Sequence, residues 1–182
     1  MVCKLLEIEG FYQILQLHNF RSTSGVSFDL IPRSFFHGVG SIDRVIHQPG
    51  AVSPGPVGEV ERPWYMHPFQ EDKLIVLHGV RNVELYSPKH NLVEKFVVTP
   101  DKIVLNGETL VESGGALIWS PNVFHRVISG NEGSACMNLA THLDGFDIRT
   151  NFNIYDLNSD TGEFHLIREG HLDQSEPPCD YE

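Results

Sequence analysis

The chain has 182 residues, enough for one domain with a sizeable core. Hydrophobic residues make up 41% and charged residues 20%, the balance of an ordinary globular protein. Thirteen Lys and Arg stand against 24 Asp and Glu, a formal net charge of -11, which argues against nucleic acid and anionic membrane as partners because both need a basic face.

No run approaches the ~20 apolar residues needed to span a bilayer. Glu7 and Glu9 interrupt the opening segment where a signal peptide requires an unbroken apolar stretch. Cys3, Cys136 and Cys179 are odd in number and widely spaced, with no C-x-x-C pair. This argues against a disulfide framework and a cysteine zinc site, and fits a reducing cytoplasm.

In chain order, residues 5–17 read equally as helix or strand, while 28–31 and 42–46 read as strands. Six of the ten residues from 49 to 58 are Gly or Pro, which marks an irregular loop. Short segments rich in Val, Ile, Leu, Phe and Tyr follow at 73–77, 80–86, 92–98, 102–105, 116–119, 123–128 and 136–142. Turn residues separate them, among them Ser87-Pro88, Ser113-Gly114-Gly115 and the run from Ser129 to Gly133. Many short strands at regular spacing predict an all-β sandwich or barrel. Asn106-Gly107 predicts a tight hairpin, because a type I′ turn needs positive φ at both positions. Residues 151–167 read as strand or irregular cover, and 173–182 form an acidic, Pro-containing tail.

Two segments carry chemistry. In the first, Tyr65 and His67 are two apart, so on a strand they share a face. The strand-like run after them puts Asp72, Leu74, Val76 and His78 on one face and Glu71, Lys73, Ile75 and Leu77 on the other. If Leu74 and Val76 point inward, Asp72 does too, and an inward carboxylate needs compensation from a metal ion or a protonated partner. In the second segment a turn at Asn122 precedes a strand that puts His125, Val127 and Ser129 on one face. Arg126 then points outward, where an ion pair is its expected use. Trp64 and Trp119 read as core or as a stacking surface for a substrate ring. No G-x-S-x-G elbow, P-loop or G-x-G-x-x-G is present.

Together these segments resemble the two motifs of the cupin family of small antiparallel β-barrels. Tyr65-x-His67-x4-Asp72-x6-Gly79 keeps the spacing of the first motif, and Gly114-x5-Ser120-x-Asn122-x2-His125-x3-Ser129 keeps that of the second. Tyr65 stands where the family has a first histidine, Asp72 where it has glutamate, Ser120 and Asn122 where it has proline and glycine, and Ser129 where it has asparagine. Pro121 lies one position late, and Gly58 falls one residue short of the opening glycine.

The resemblance implies a single cupin-type barrel (a double-stranded β-helix, or jelly roll) over residues 35–145. An N-terminal extension over 1–34 would supply dimer strands, and 146–182 would form a C-terminal cover and tail. It further implies a divalent metal ion (Fe, Mn, Ni or Zn) held by His67, Asp72 and His125, with Glu71 as the alternative carboxylate. Tyr65 and His78 would transfer protons on a small organic substrate, with dioxygenase-like chemistry as the leading expectation and isomerase or decarboxylase chemistry beside it. The alternative is a metal-free barrel binding a sugar or small molecule as sensor or carrier. The resemblance also implies a homodimer, and the apolar-rich 11–36 stretch is compatible with that.

Overall fold

The computed structural model describes residues 4–31 and 33–175. Its strands in chain order are β1 (Lys4–Ile8), β2 (Tyr12–Gln16), β3 (His18–Thr23), β4 (Val26–Leu30), β5 (Val39–His47), β6 (Val52–Ser53), β7 (Trp64–Met66) and β8 (Gln70–Ser87). They continue with β9 (Leu92–Val98), β10 (Ile103–Leu105), β11 (Glu108–Val111), β12 (Gly115–Trp119) and β13 (Phe124–His142). A single-turn helix, α1 (Ile148–Asn151), then leads into β14 (Ile154–Leu157) and β15 (Phe164–Arg168). Every pairing is antiparallel. The fold is the expected all-β barrel of the cupin type.

Two long strands build it. β8 and β13 pair along nearly their whole length, and each passes from one sheet into the other. The half of this ladder from Gln70 to Gly79 continues through β12, β2 and β1 on one side and β5 on the other. The other half continues through β9, β10 and β11 on one side and β6, β7, β14 and β15 on the other. The corner is a bulge. Ser129 pairs with Arg81 and Ser134 with Gly79, so residues 130–133 stand against Val80 alone. Gly79 and Gly133 make it possible: their φ values are +70° and +74°, and a Cβ on Gly79 would lie 2.0 Å from the Gly133 carbonyl oxygen. Bulges of this kind are how strands turn from one packed sheet into another.

The corner also reverses which residues face inward. Asp72, Leu74 and Val76 point into the barrel before it, and Arg81, Val83 and Leu85 after it. On β13 the inward set changes from His125, Val127 and Ser129 to Ser134, Cys136 and Asn138. Leu74, Val76 and Trp119 meet Val83, Leu85 and Phe96 from the facing sheet in one continuous core. The opposite face of β12 is covered separately, by Leu15, Ile31 and Phe35 packed against Ala116 and Ile118.

The predicted strands are present, but 73–77 and 80–86 run together as β8, and 123–128 and 136–142 as β13. The run from Ser129 to Gly133 is the bulge inside β13 rather than a turn between two strands. Asn106 (φ 49°) and Gly107 (φ 91°) form the predicted hairpin joining β10 and β11. Residues 5–17 resolve as strands, and β2 adds to β12 with Phe11, Tyr12, Ile14 and Leu15 all buried. Part of the segment expected as an extension is therefore built into the main sheet. The remainder, β3 and β4, forms a separate hairpin whose residues are all exposed. Most of the acidic tail lies outside the described residues, as do Cys3 and Cys179.

Candidate functional site

At the end of the barrel away from the glycine corner, the two sheets bring five side chains together. Asp72, the third residue of β8, pairs in register with Trp119, the last residue of β12. From the facing sheet, Tyr65 of β7 pairs with His125 of β13, and His67 follows directly after β7. The turn before β13 holds this arrangement: Asn122 adopts φ 63°, as predicted, and its backbone N–H donates to the His67 carbonyl at 2.9 Å. His67, Asp72 and His125 are all buried, and one ligand atom from each lies within 4.8 Å of the others. The His67 and His125 ring centroids are 4.7 Å apart, with Tyr65 5.8 Å from His125 and Trp119 5.2 Å from it.

The hydrogen bonds fix the character of each group. Asp72 Oδ1 accepts from Gln70 Nε2 at 2.7 Å and from Asn138 Nδ2 at 2.6 Å. Its Oδ2 is buried without a partner, and His67 Nε2 stands 3.6 Å from it, too far for a hydrogen bond. His67 Nδ1 meets the Asn151 carbonyl oxygen. A carbonyl only accepts, so Nδ1 carries a proton, and in the neutral ring Nε2 presents a lone pair. Trp119 Nε1 is a buried donor with no partner. The site thus offers an unpaired buried acceptor at Asp72 and an unpaired buried donor at Trp119. Leaving such groups buried and unpaired costs about 1–3 kcal/mol each.

Burial sets the protonation states. It pushes the His125 imidazole down to about 3, with the neighbouring His67 adding to the effect and Asp72 opposing it, so His125 is neutral near pH 7. Burial raises the Tyr65 phenol, which keeps its proton, with a hydrogen bond to Ser53 acting in the opposite direction.

Among the carboxylates, Asp72 rather than Glu71 enters the barrel. Glu71 lies on the other face, where its Oε1 is 2.6 Å from Lys73 Nζ. His78, expected as a proton carrier, lies elsewhere. It is exposed beside the Gly79 bulge, six residues along β8 from Asp72, or roughly 20 Å of strand. The corner that reverses the strand's inward face ends the alternation that pointed to it. Arg126 takes its expected outward place, 2.6 Å from Glu84 and 4.0 Å above the Trp64 ring. Trp64 is therefore packing, while Trp119 belongs to the site. Gln70 and Asn151 were not singled out from sequence; only its inward register could have marked Gln70, and nothing local marks Asn151.

The donor set fits a divalent ion chemically, since two imidazoles and a carboxylate suit several first-row metals. It fits equally a ligand that brings its own hydroxyl protons to Asp72 and His67 and a carbonyl or hydroxyl oxygen to Trp119.

No family model and no curated protein matches the chain by sequence. Solved structures do match in fold. The TDP-quinovose 3,4-ketoisomerase WlaRB from Campylobacter jejuni is 18% identical, covering 77% of this chain and 89% of its own at a TM-score of 0.51. NovW, a 4-keto-6-deoxy sugar epimerase from the novobiocin biosynthetic gene cluster of Streptomyces spheroides, is 14% identical, covering 78% and 67% at 0.52. The RmlC epimerase of Mycobacterium tuberculosis is 14% identical, covering 78% and 68% at 0.52. At such identities the likeness shows the fold. These three are sugar ketoisomerases and epimerases, and that finding corrects the expectation of a dioxygenase-like protein. Among the described residues, no helix is long and apolar enough to cross a membrane.

Proposed function

We propose that the barrel binds a keto sugar and moves a proton on it without oxidation, as an isomerase or epimerase does. The observation that carries this reading is a pair of unsatisfied atoms: the buried acceptor Asp72 Oδ2 and the buried donor Trp119 Nε1 stand on residues in register across the β8–β12 pair, and neither has a partner. A keto sugar supplies hydroxyl donors and a carbonyl acceptor in one small molecule. The aromatic edges of Tyr65 and Phe152, 6.3 Å apart at 89°, give an apolar flank to a sugar ring.

In this reading His67 Nε2 is the general base, with the Asp72 carboxylate stabilising the imidazolium that forms. It removes the proton from the carbon next to the carbonyl. Tyr65 or Trp119 stabilises the oxygen. For epimerisation a proton is delivered to the opposite face of the same carbon; for ketoisomerisation it goes to the adjacent carbon while the neighbouring hydroxyl proton passes to the former carbonyl oxygen. Neutral His125 holds a ligand hydroxyl. The sugar-binding barrel without catalysis is the same pocket with no proton transfer.

The test is solvent deuterium exchange. Incubated in D2O with a nucleotide-linked 4-keto-6-deoxy sugar, the protein should incorporate deuterium beside the carbonyl, read by mass spectrometry, and His67→Gln should abolish it. Binding without exchange would leave only the carrier reading, and absence of binding to nucleotide-linked and free keto sugars would overturn both.

A second reading, favoured by the convergence of ligand atoms within 4.8 Å, is that His67, Asp72 and His125 hold a divalent ion. Such an ion would act as a Lewis acid on the sugar carbonyl. Elemental analysis of protein purified without chelator, against His125→Ala, tests it.

We further propose a homodimer through the β3–β4 hairpin, where Phe20 is 67% exposed and Val26, Phe28 and Leu30 about half exposed, beside Ile42 at 62% on β5.

A further inference from the structure

Four residues form a closed ring of polar contacts that joins the C-terminal cover to the site. Asn151 Nδ2 donates to Gln70 Oε1 at 2.8 Å, and Gln70 Nε2 donates to Asp72 Oδ1 at 2.7 Å. Asp72 Oδ2 lies 3.6 Å from His67 Nε2, and His67 Nδ1 donates back to the Asn151 carbonyl. All four residues are buried, Asn151 at 3% exposure. Asn151 ends α1, 84 residues beyond His67 in the chain.

From this ring we infer that Asn151 is a positioning residue: its side chain ties the end of α1 to Gln70, and its backbone carbonyl thereby holds His67 in the Nδ1–H tautomer with Nε2 free toward the ligand. The direction of each bond supports this. Asn151 donates through its amide, so Gln70 must present its oxygen outward and its N–H2 to Asp72. One amide orientation then serves both ends. Were the tie cut, Gln70 could turn over and place its oxygen against the Asp72 carboxylate. The Asn151 carbonyl would also lose the anchor that aims it at the imidazole. The neighbouring Phe152 ring adds a steric wall, 5.4 Å from the His67 ring and nearly perpendicular to it. Gly170 backs this turn closely. Its N–H donates to Asn153 Oδ1 at 2.8 Å, and a Cβ there would meet the Phe152 carbonyl carbon at 2.6 Å. The cover is therefore part of the site's construction rather than a loose flap.

The use of Nε2 as a base rests on the proposed function; the tautomer does not, and it is measurable without substrate. In uniformly 15N-labelled protein at pH 7.5, long-range 1H–15N spectra assigned with His67→Gln should show His67 Nδ1 protonated and Nε2 bare. Asn151→Ala and Gln70→Leu, which cut the same tie from opposite ends, should each move both nitrogens toward averaged positions while circular dichroism stays native. In the exchange assay each should lower kcat about tenfold or more, with KM little changed, as loss of an outer hydrogen-bond partner does elsewhere. A wild-type Nε2–H tautomer, or a pure Nδ1–H tautomer retained in a folded variant of either kind, would overturn the inference. The expected tautomer shifts without any exchange activity in the wild type would leave it standing and sink the catalytic reading alone.

Discussion

Asp72 and Trp119 face each other across the β8–β12 pair, in register, and each carries a buried polar atom with no protein partner. One atom is an acceptor and the other a donor, yet they do not bond each other, and a ligand with both kinds of group completes the pair.

Trp119→Phe removes the N–H and keeps most of the ring. The protein should melt at or slightly above the wild-type temperature, because the lost donor had no partner to lose. The KM for a keto sugar should rise about three- to tenfold, the worth of one neutral hydrogen bond. A variant with unchanged KM would remove Trp119 from recognition.

Asp72→Asn keeps the shape and removes the charge. Deuterium exchange should fall by about two orders of magnitude or more, the usual scale for general base catalysis, while the melting temperature holds. If exchange persists at wild-type rate, His67 acts without its carboxylate.

Acid should destabilise the protein well above the range where carboxylates titrate. Burial, together with Arg81 nearby, holds His47 at about 4, and His125 is held at about 3, both below the usual imidazole value of 6.5. Between the folded and the ordinary values the unfolded chain binds protons that the folded chain refuses, so this contribution to stability is full above about pH 6.5 and declines as pH falls toward 4. Melting temperatures at pH 7.5, 6 and 5 check this, and His47→Gln should shrink the drop. Equal melting temperatures across that range would show that both rings accept protons in the folded protein.

The exposed hairpin gives a prediction for assembly. Phe20→Asp with Phe28→Asp should convert a dimer to a monomer in light scattering without disturbing the barrel, whose core holds neither residue. A monomeric wild type would instead leave the hairpin's apolar face unexplained.

The barrel was legible because its signals are local. Alternation placed Asp72 inward and Glu71 outward, and Asn106-Gly107 named its own turn. The candidate site was legible as far as the two histidines and the aspartate: Asp72 and His125 share register with apolar neighbours on strands, and His67 follows directly after one. What was hidden depends on distance or on broken alternation. His78 follows the same period as Asp72, yet the Gly79 bulge intervenes. Asn151 reaches the site through a backbone carbonyl, which every residue possesses and no side-chain pattern can mark. The dioxygenase expectation came from the family at large, whose barrel serves many chemistries.

The glycine corner of β8 and β13 divides each strand into two independently phased halves. A one-residue deletion between Asp72 and Gly79 would turn the site's carboxylate out to solvent and leave Val83 and Leu85 seated. A deletion on the other side of the corner, between His125 and Ser129 of β13, would turn His125 out and leave Asp72, Ser134 and Cys136 seated. Insertions and deletions are thus contained at this joint, and one wall of the site can be remodelled without rewriting the other.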